Sequence, residues 1–163
     1  MNDTTALLIV DDDPVFAAYA QQLVFALRNE LPCATKWVDT AEKAIEELQR
    51  SAFDMVLLDY HLPGANGLEV LKRIRELPGE EQPAVIMLTA SGNEAIAVEA
   101  MKRGALDYLT KVDLDIAPLT RALRSALTQK QLADQVTRYN AQMRADLAMA
   151  RRLQQSMLPE LYP

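Results

Sequence analysis

Two short apolar runs in this chain each end in acid. Leu7-Leu8-Ile9-Val10 is followed directly by Asp11-Asp12-Asp13, and Met55-Val56-Leu57-Leu58 directly by Asp59. Such runs, short and rich in β-formers, are the pattern of strands buried on both faces of a parallel sheet. In an open α/β sheet the carboxyl ends of the strands line the ligand crevice. Two strands ending in acid therefore bring several carboxylates within reach of one another. Like charges that close do not all stay ionised without a counter-ion. An oxygen-rich acidic cluster is also the donor set that a hard divalent cation such as Mg²⁺ takes. The pattern points to metal-assisted phosphate chemistry.

The rest of the chain alternates strand and helix. Leu7–Val10 reads as the first strand, and Pro14 opens a helix carrying Val15, Tyr19, Leu23 and Leu27. Ala34–Val38 is a weaker second strand, and Asp39 with Glu42 resembles a capping box for a helix to about Arg50. Asp54–Asp59 is the third strand, residues 63–67 a loop, and Leu68–Leu77 a helix ended by Pro78-Gly79. Ala84–Thr89 is the fourth strand. Ser91 with Glu94 suggests a second capping box, for a helix that Gly104 stops. Leu106–Thr110 is the fifth strand, and Asp115 caps the last helix. Five such units imply a parallel sheet covered by helices on both faces, with right-handed crossovers.

That last helix does not stop. From Ile116 to Met157 there is no glycine, and Pro118 is the only proline. Leu132, Val136, Tyr139, Met143, Ala150, Leu153 and Met157 fit alternating three- and four-residue steps, the a/d seam of a coiled coil. Gln129 and Asp146 interrupt the seam, with Leu147 beside the second. Charge changes along with pattern. Residues 1–119 carry 10 Lys+Arg against 20 Asp+Glu, residues 120–163 carry 7 against 3. The expected organisation is a domain over 1–128 and a coiled-coil helix over 129–163, the latter a means of homodimerisation; the alternative is a helix folded back onto its own domain.

An overall charge of −6 argues against a chain built to bind nucleic acid or an anionic membrane. Cys33 is the only cysteine, which excludes an internal disulfide and fits a cytoplasmic setting. No run approaches the ~20 apolar residues of a membrane span.

Further residues join the acids at the same sheet edge. Thr89 ends the fourth strand, Lys111 follows the fifth, and Gly64 and Gly67 flank the loop after Asp59; Tyr108 lies inside the fifth strand. A carboxylate at Asp59 is suited to attack a phosphoryl group. Mg²⁺ on Asp12 and Asp59, Lys111 and the Thr89 hydroxyl would neutralise phosphate charge. Asp11 would orient metal-bound water. Asp13, before Pro14, reads as a helix cap. His61 is the only histidine, and its backbone carbonyl is a better candidate than its ring.

With these residues in view, about residues 5 to 128 resemble the response-regulator receiver domain of two-component systems. The resemblance lies in Leu7 to Pro14, Met55 to Gly67, Ile86-Met87-Leu88-Thr89-Ala90 and Gly104 to Lys111. It implies a flavodoxin-like (βα)5 doubly wound parallel sheet of order 2-1-3-4-5 with a long C-terminal coiled-coil helix, and Asp59 as the residue phosphorylated by a histidine kinase or phosphotransfer protein. It also implies Asp11, Asp12, Asp59 and the His61 carbonyl for Mg²⁺, Thr89 and Tyr108 as a switch pair, and Lys111 as the site lysine. The family usually has Lys-Pro where this chain has Lys111-Val112. A trans bond is expected here, because a cis bond before a residue other than proline costs about 3 kcal/mol. Asp146 to Pro159 resembles the helical lead-in to PP2C-type serine/threonine phosphatase domains, which implies an effector lying outside this chain. On this reading the chain is a phosphoacceptor switch, not an enzyme acting on an external substrate. The alternative is a degenerate receiver that acts only as an interaction and dimerisation module. Direct nucleic-acid binding is not expected, because no helix-turn-helix follows residue 128.

Overall fold

The computed structural model describes residues 4–90 and 92–157. Seven strands and five helices follow in the order β1 (Thr5–Val10), α1 (Pro14–Ala26), β2 (Cys33–Val38), α2 (Ala41–Arg50), β3 (Met55–Asp59), β4 (His61–Leu62), β5 (Ala65–Asn66), α3 (Gly67–Arg75), β6 (Ala84–Thr89), α4 (Glu94–Lys102), β7 (Asp107–Thr110) and α5 (Ile116–Met157). The main sheet has the order β2-β1-β3-β6-β7, every pairing parallel. This is the expected 2-1-3-4-5 arrangement, renumbered because β4 and β5 form a separate antiparallel hairpin.

Alternation along the strands builds two cores at once. Leu7, Ile9, Met55, Leu57, Ile86 and Leu88 pack on one face with Ala17, Ala20 and Val24 of α1 and Leu119, Ala122, Leu123 and Ala126 of α5. Leu8, Val10, Val56, Leu58, Val85 and Met87 pack on the other with α2, α3 and Ala100 of α4. Apolar residues must therefore fill both faces of β1, β3 and β6, which is why their runs are unbroken. Cys33 lies half-buried at the start of β2, where burial first and then the charge of Asp54 push its thiol up to about 11.

Several local expectations need correction. The α2 cap is Thr40, which is extended and accepts from Lys43 N at 3.1 Å. Asp39 instead pairs with Lys43 Nζ at 2.8 Å, and Glu42 with Arg73 at 2.7 Å. A capping side chain must stand directly before the first helical residue; that first residue is Ala41, and Thr40 precedes it. Asn93 caps α4 through Ala95 N and Ile96 N; the suggested cap Ser91 lies outside the described residues. Residues 63–67 are not simply a loop. Leu62 pairs with Ala65 and His61 with Asn66, and Gly64 turns the chain at φ +77°. Asn66 then caps α3 by accepting from Glu69 N at 3.0 Å, so the helix starts at Gly67. Asp13 caps α1 as expected, accepting from Val15 N at 2.9 Å.

Contacts divide the chain after Lys130, so that α5 contributes to two units. Up to Lys130 the helix is amphipathic and packed, with Leu119 and Leu123 fully buried. Beyond it, Leu132, Val136, Tyr139, Met143, Leu153 and Met157 are between 44% and 79% exposed in the single chain. Among the described residues no helix is long and apolar enough to cross a membrane.

Candidate functional site

β1 and β3 end side by side in the sheet, with Val10 opposite Leu58. The residues that follow them therefore converge. Asp11 is fully buried and Asp59 only 3% exposed, while Asp12 is open to solvent. Carboxylate oxygens of all three lie within 4.8 Å of one another.

Lys111 enters this acidic corner from the end of β7. Its backbone is fixed by Lys111 N donating to Thr89 O at 2.7 Å. Its Nζ lies 2.6 Å from Asp11 Oδ2 and 3.3 Å from Asp59 Oδ2. The Phe16 ring, in the first turn of α1, covers the ammonium on another side at 4.4 Å, a contact that favours the cation electrostatically. The loop beyond is tied down by the Tyr19 hydroxyl donating to Leu114 O at 2.9 Å and by Thr110 Oγ1 donating to Asp113 Oδ2 at 3.0 Å. There is no cis peptide bond among the described residues, so Lys111-Val112 is trans. Lys111 nevertheless reaches both acids.

Every polar atom of Asp11 is engaged. Its amide donates to Val38 O at 3.1 Å, and Trp37 Nε1 donates to its carbonyl at 2.8 Å. Asp13 N donates to its Oδ1 at 2.8 Å, while its Oδ2 makes no directed hydrogen bond and faces the Lys111 ammonium. Asp59 is less encumbered. Among the described residues its Oδ1 accepts only a long bond from His61 N at 3.3 Å. Burial first, and then the Asp11 charge, push the Asp59 carboxyl up to about 6 against the opposing pull of Lys111. Burial works to lower the Lys111 pKa, but its two carboxylates outweigh it and hold the group above the ordinary lysine value. The donor set is all oxygen, carries surplus negative charge and opens to solvent through Asp12, which suits a hard divalent cation.

Thr89 and Tyr108 meet on the other side of the site. Thr89 is buried, and its Oγ1 shares a 2.8 Å hydrogen bond with the Tyr108 hydroxyl. Tyr108 also accepts from Asn93 N at 3.0 Å, which links it to the cap of α4. Gly67 closes the floor. A Cβ there would stand 2.9 Å from Tyr60 Cα and 3.0 Å from Asp59 O. His61 has an exposed side chain that packs edge-on against Tyr60.

Asp11, Asp12, Asp59 and Lys111 are thus brought into one cluster, with Thr89 and Tyr108 paired beside it. Phe16, Tyr19 and Trp37 gave no sign of their parts in the sequence. They stand in the sequence as single aromatics within helix and strand patterns.

Comparison with known proteins agrees with this geometry. The family model described as the response regulator receiver domain matches residues 7–124. The transcriptional regulatory protein ZraR of Escherichia coli K12 is 33% identical over 138 residues, 83% of this chain and 29% of that protein. The nitrate/nitrite response regulator protein NarL of the same strain is 32% identical over 126 residues, 76% of this chain and 55% of that protein. The chain spans less than two thirds of the length of these relatives. Among solved structures, the signal receiver domain of an HD domain-containing protein from Pseudomonas fluorescens Pf-5 superposes with a TM-score of 0.72 at 26% identity, covering 83% of this chain and 95% of that one. A two-component response regulator of the LuxR family from Aurantimonas sp. SI85-9A1 gives 0.67 at 27% identity, covering 77% and 86%. With its sheet order, its acid-lysine corner and these matches all pointing the same way, the chain belongs to the response regulator receiver family.

Proposed function

We propose that this chain is a phosphorylation-operated switch in which Asp59 takes a phosphoryl group from the phosphohistidine of a sensor kinase or phosphotransfer protein. The buried Asp11–Lys111–Asp59 arrangement carries the reading. In the transfer an Asp59 oxygen attacks phosphorus, the P–N bond opens, and its electron pair leaves with the imidazole nitrogen. The product is an acyl phosphate. With its carboxyl at about 6, Asp59 is mostly ionised near neutral pH, as a nucleophile must be. Lys111 supplies a fixed positive charge to the incoming oxygens. Asp12 and Asp59 would hold Mg²⁺, with Asp11 behind them and the His61 carbonyl as a further donor. Mg²⁺ when bound offsets charge on the transferring group.

The Thr89–Tyr108 pair gives the site a way to report its state. A phosphoryl group on Asp59 adds acceptor oxygens that compete for the Thr89 hydroxyl now shared with Tyr108. Thr89 moves to the phosphate, Tyr108 turns inward, and its tie to Asn93 at the head of α4 loosens. The α4–β7–α5 face then repacks, which requires different contacts in the two states.

The output passes through residues 129–163. The heptad positions flanking the seam carry no charge between Ala133 and Ser156, so two copies of this helix meet in parallel without repulsion at their flanks. Homodimerisation through the seam supplies the means of controlling an effector beyond residue 163, in the cytoplasm. The lead-in resemblance over residues 146–159 favours a PP2C-type phosphatase. The name of one relative, the transcriptional regulatory protein ZraR, favours a DNA-binding output instead, and the open reading frame beyond Pro163 decides between them.

The direct test is incubation with acetyl phosphate and Mg²⁺ followed by intact-mass measurement. One phosphoryl group is expected on the wild-type chain and none on Asp59→Asn. Equal labelling of the variant refutes the site. No labelling of the wild type by acetyl phosphate or by any phosphohistidine donor leaves the interaction-module reading in its place.

A further inference from the structure

Asp12 is the member of the acid cluster whose direction is set least by its own contacts. It is exposed, and among the described residues none hydrogen-bonds or ion-pairs with its carboxylate. Its orientation therefore comes from its backbone, and that backbone is held by a neighbour from another strand. Trp37 stands near the end of edge strand β2, opposite Ile9 in the parallel register. Its indole Nε1 donates 2.8 Å to the Asp11 carbonyl. That carbonyl belongs to the peptide joining Asp11 to Asp12, which is planar. Fixing its oxygen therefore fixes the plane from which Cα of Asp12 departs. On the other side the Asp11 amide is tied to Val38 O, so β2 grips the Asp11 backbone at both ends.

We propose that Trp37 is a positioning residue for the divalent cation, holding the Asp11–Asp12 peptide so that the Asp12 carboxylate is preset toward Asp59. The role rests on the Mg²⁺-dependent reading of the Asp59 site. It follows from the bond's geometry: the indole donates to the backbone of the acid pair and contributes no ligand itself. Trp37 is 37% exposed, so replacing it does not empty a core. Phenylalanine keeps an aromatic side chain at this position and removes the donor.

The test is Mg²⁺ binding to the full chain, measured by titration calorimetry with Mg²⁺ as the only ligand, on wild type and Trp37→Phe. One neutral hydrogen bond supports a change of about 3- to 10-fold in the dissociation constant, and weakening of that size is expected. Labelling of Asp59 by acetyl phosphate should show the same split, with the half-saturating Mg²⁺ concentration rising while the maximal rate at saturating Mg²⁺ is recovered. In the wild type the Trp37 indole N–H resonance should shift during the Mg²⁺ titration. Unchanged Mg²⁺ affinity in Trp37→Phe overturns the role, as does an indole resonance indifferent to Mg²⁺ or a loss of rate that saturating Mg²⁺ does not restore. If the wild type binds Mg²⁺ and is labelled while the variant matches it, only the Trp37 role falls. If the wild type binds no Mg²⁺, the reading of the site falls with it.

Discussion

Asp59 is held as an anion against its surroundings. Its carboxyl sits at about 6 rather than at the ordinary 3.8, through burial and then the Asp11 charge. The folded state thus holds that proton more tightly than the unfolded chain. The resulting contribution is fully present below pH 4 and is lost as pH rises through about 6. Each pKa unit is worth about 1.4 kcal/mol, so Asp59→Asn in EDTA at pH 7.5 is expected to be more stable than wild type by about 2–3 kcal/mol. The difference should shrink towards zero near pH 4. Urea unfolding at both pH values checks this; a variant less stable at pH 7.5 contradicts it. Asp11, Asp12, Asp59 and Lys111 were legible from the sequence because each ends or follows a strand, and strand ends in a parallel sheet share an edge. The Phe16 ring against Lys111 and the Trp37 bond to Asp11 were not. They depend on how closely one helix turn and one edge strand approach the corner, which periodicity does not encode.

Elements were legible where they had a period and enough length to show it. The three central strands and α5 stood out because burial on two faces, or a helix of forty-two residues whose one breaker, Pro118, lies in its first turn, leaves little alternative. The β4–β5 hairpin did not, since two-residue strands have no alternation to read. The α2 cap was misplaced by one residue because Asp39 and Thr40 are both competent caps and only the backbone chooses. The junction from hairpin to α3 carries the sharpest steric demand. Gly67 N donates to Tyr60 O at 2.6 Å, and the space where a Cβ would stand is taken by Met87 Sδ at 2.7 Å and by the backbone of Asp59 and Tyr60. The Met87 thioether can move aside, but the backbone beneath Asp59 cannot do so without moving the site. Gly67→Ala is expected to cost about 1–3 kcal/mol in chemical denaturation. It should also slow labelling of Asp59; wild-type values for both would show that this approach is not tight.

At the scale of the molecule, α5 plays two parts that one substitution each separates. Leu119 is fully buried against the sheet, so Leu119→Ala should destabilise the fold by about 2–5 kcal/mol. Leu153 is 56% exposed in the single chain, so Leu153→Ala should leave monomer stability within about 0.5 kcal/mol. It should instead weaken self-association in sedimentation equilibrium. If Leu153→Ala destabilises the monomer as Leu119→Ala does, residues beyond 130 fold back on the sheet and the seam reading is wrong. The native thiol makes such experiments simpler. Cys33 at about 11 is almost wholly protonated at neutral pH, and the protonated form is a poor nucleophile. A cysteine introduced at an exposed position of the tail would react with a maleimide spin label or dye far sooner, so distance measurements along α5 can be made without first engineering a thiol-free background.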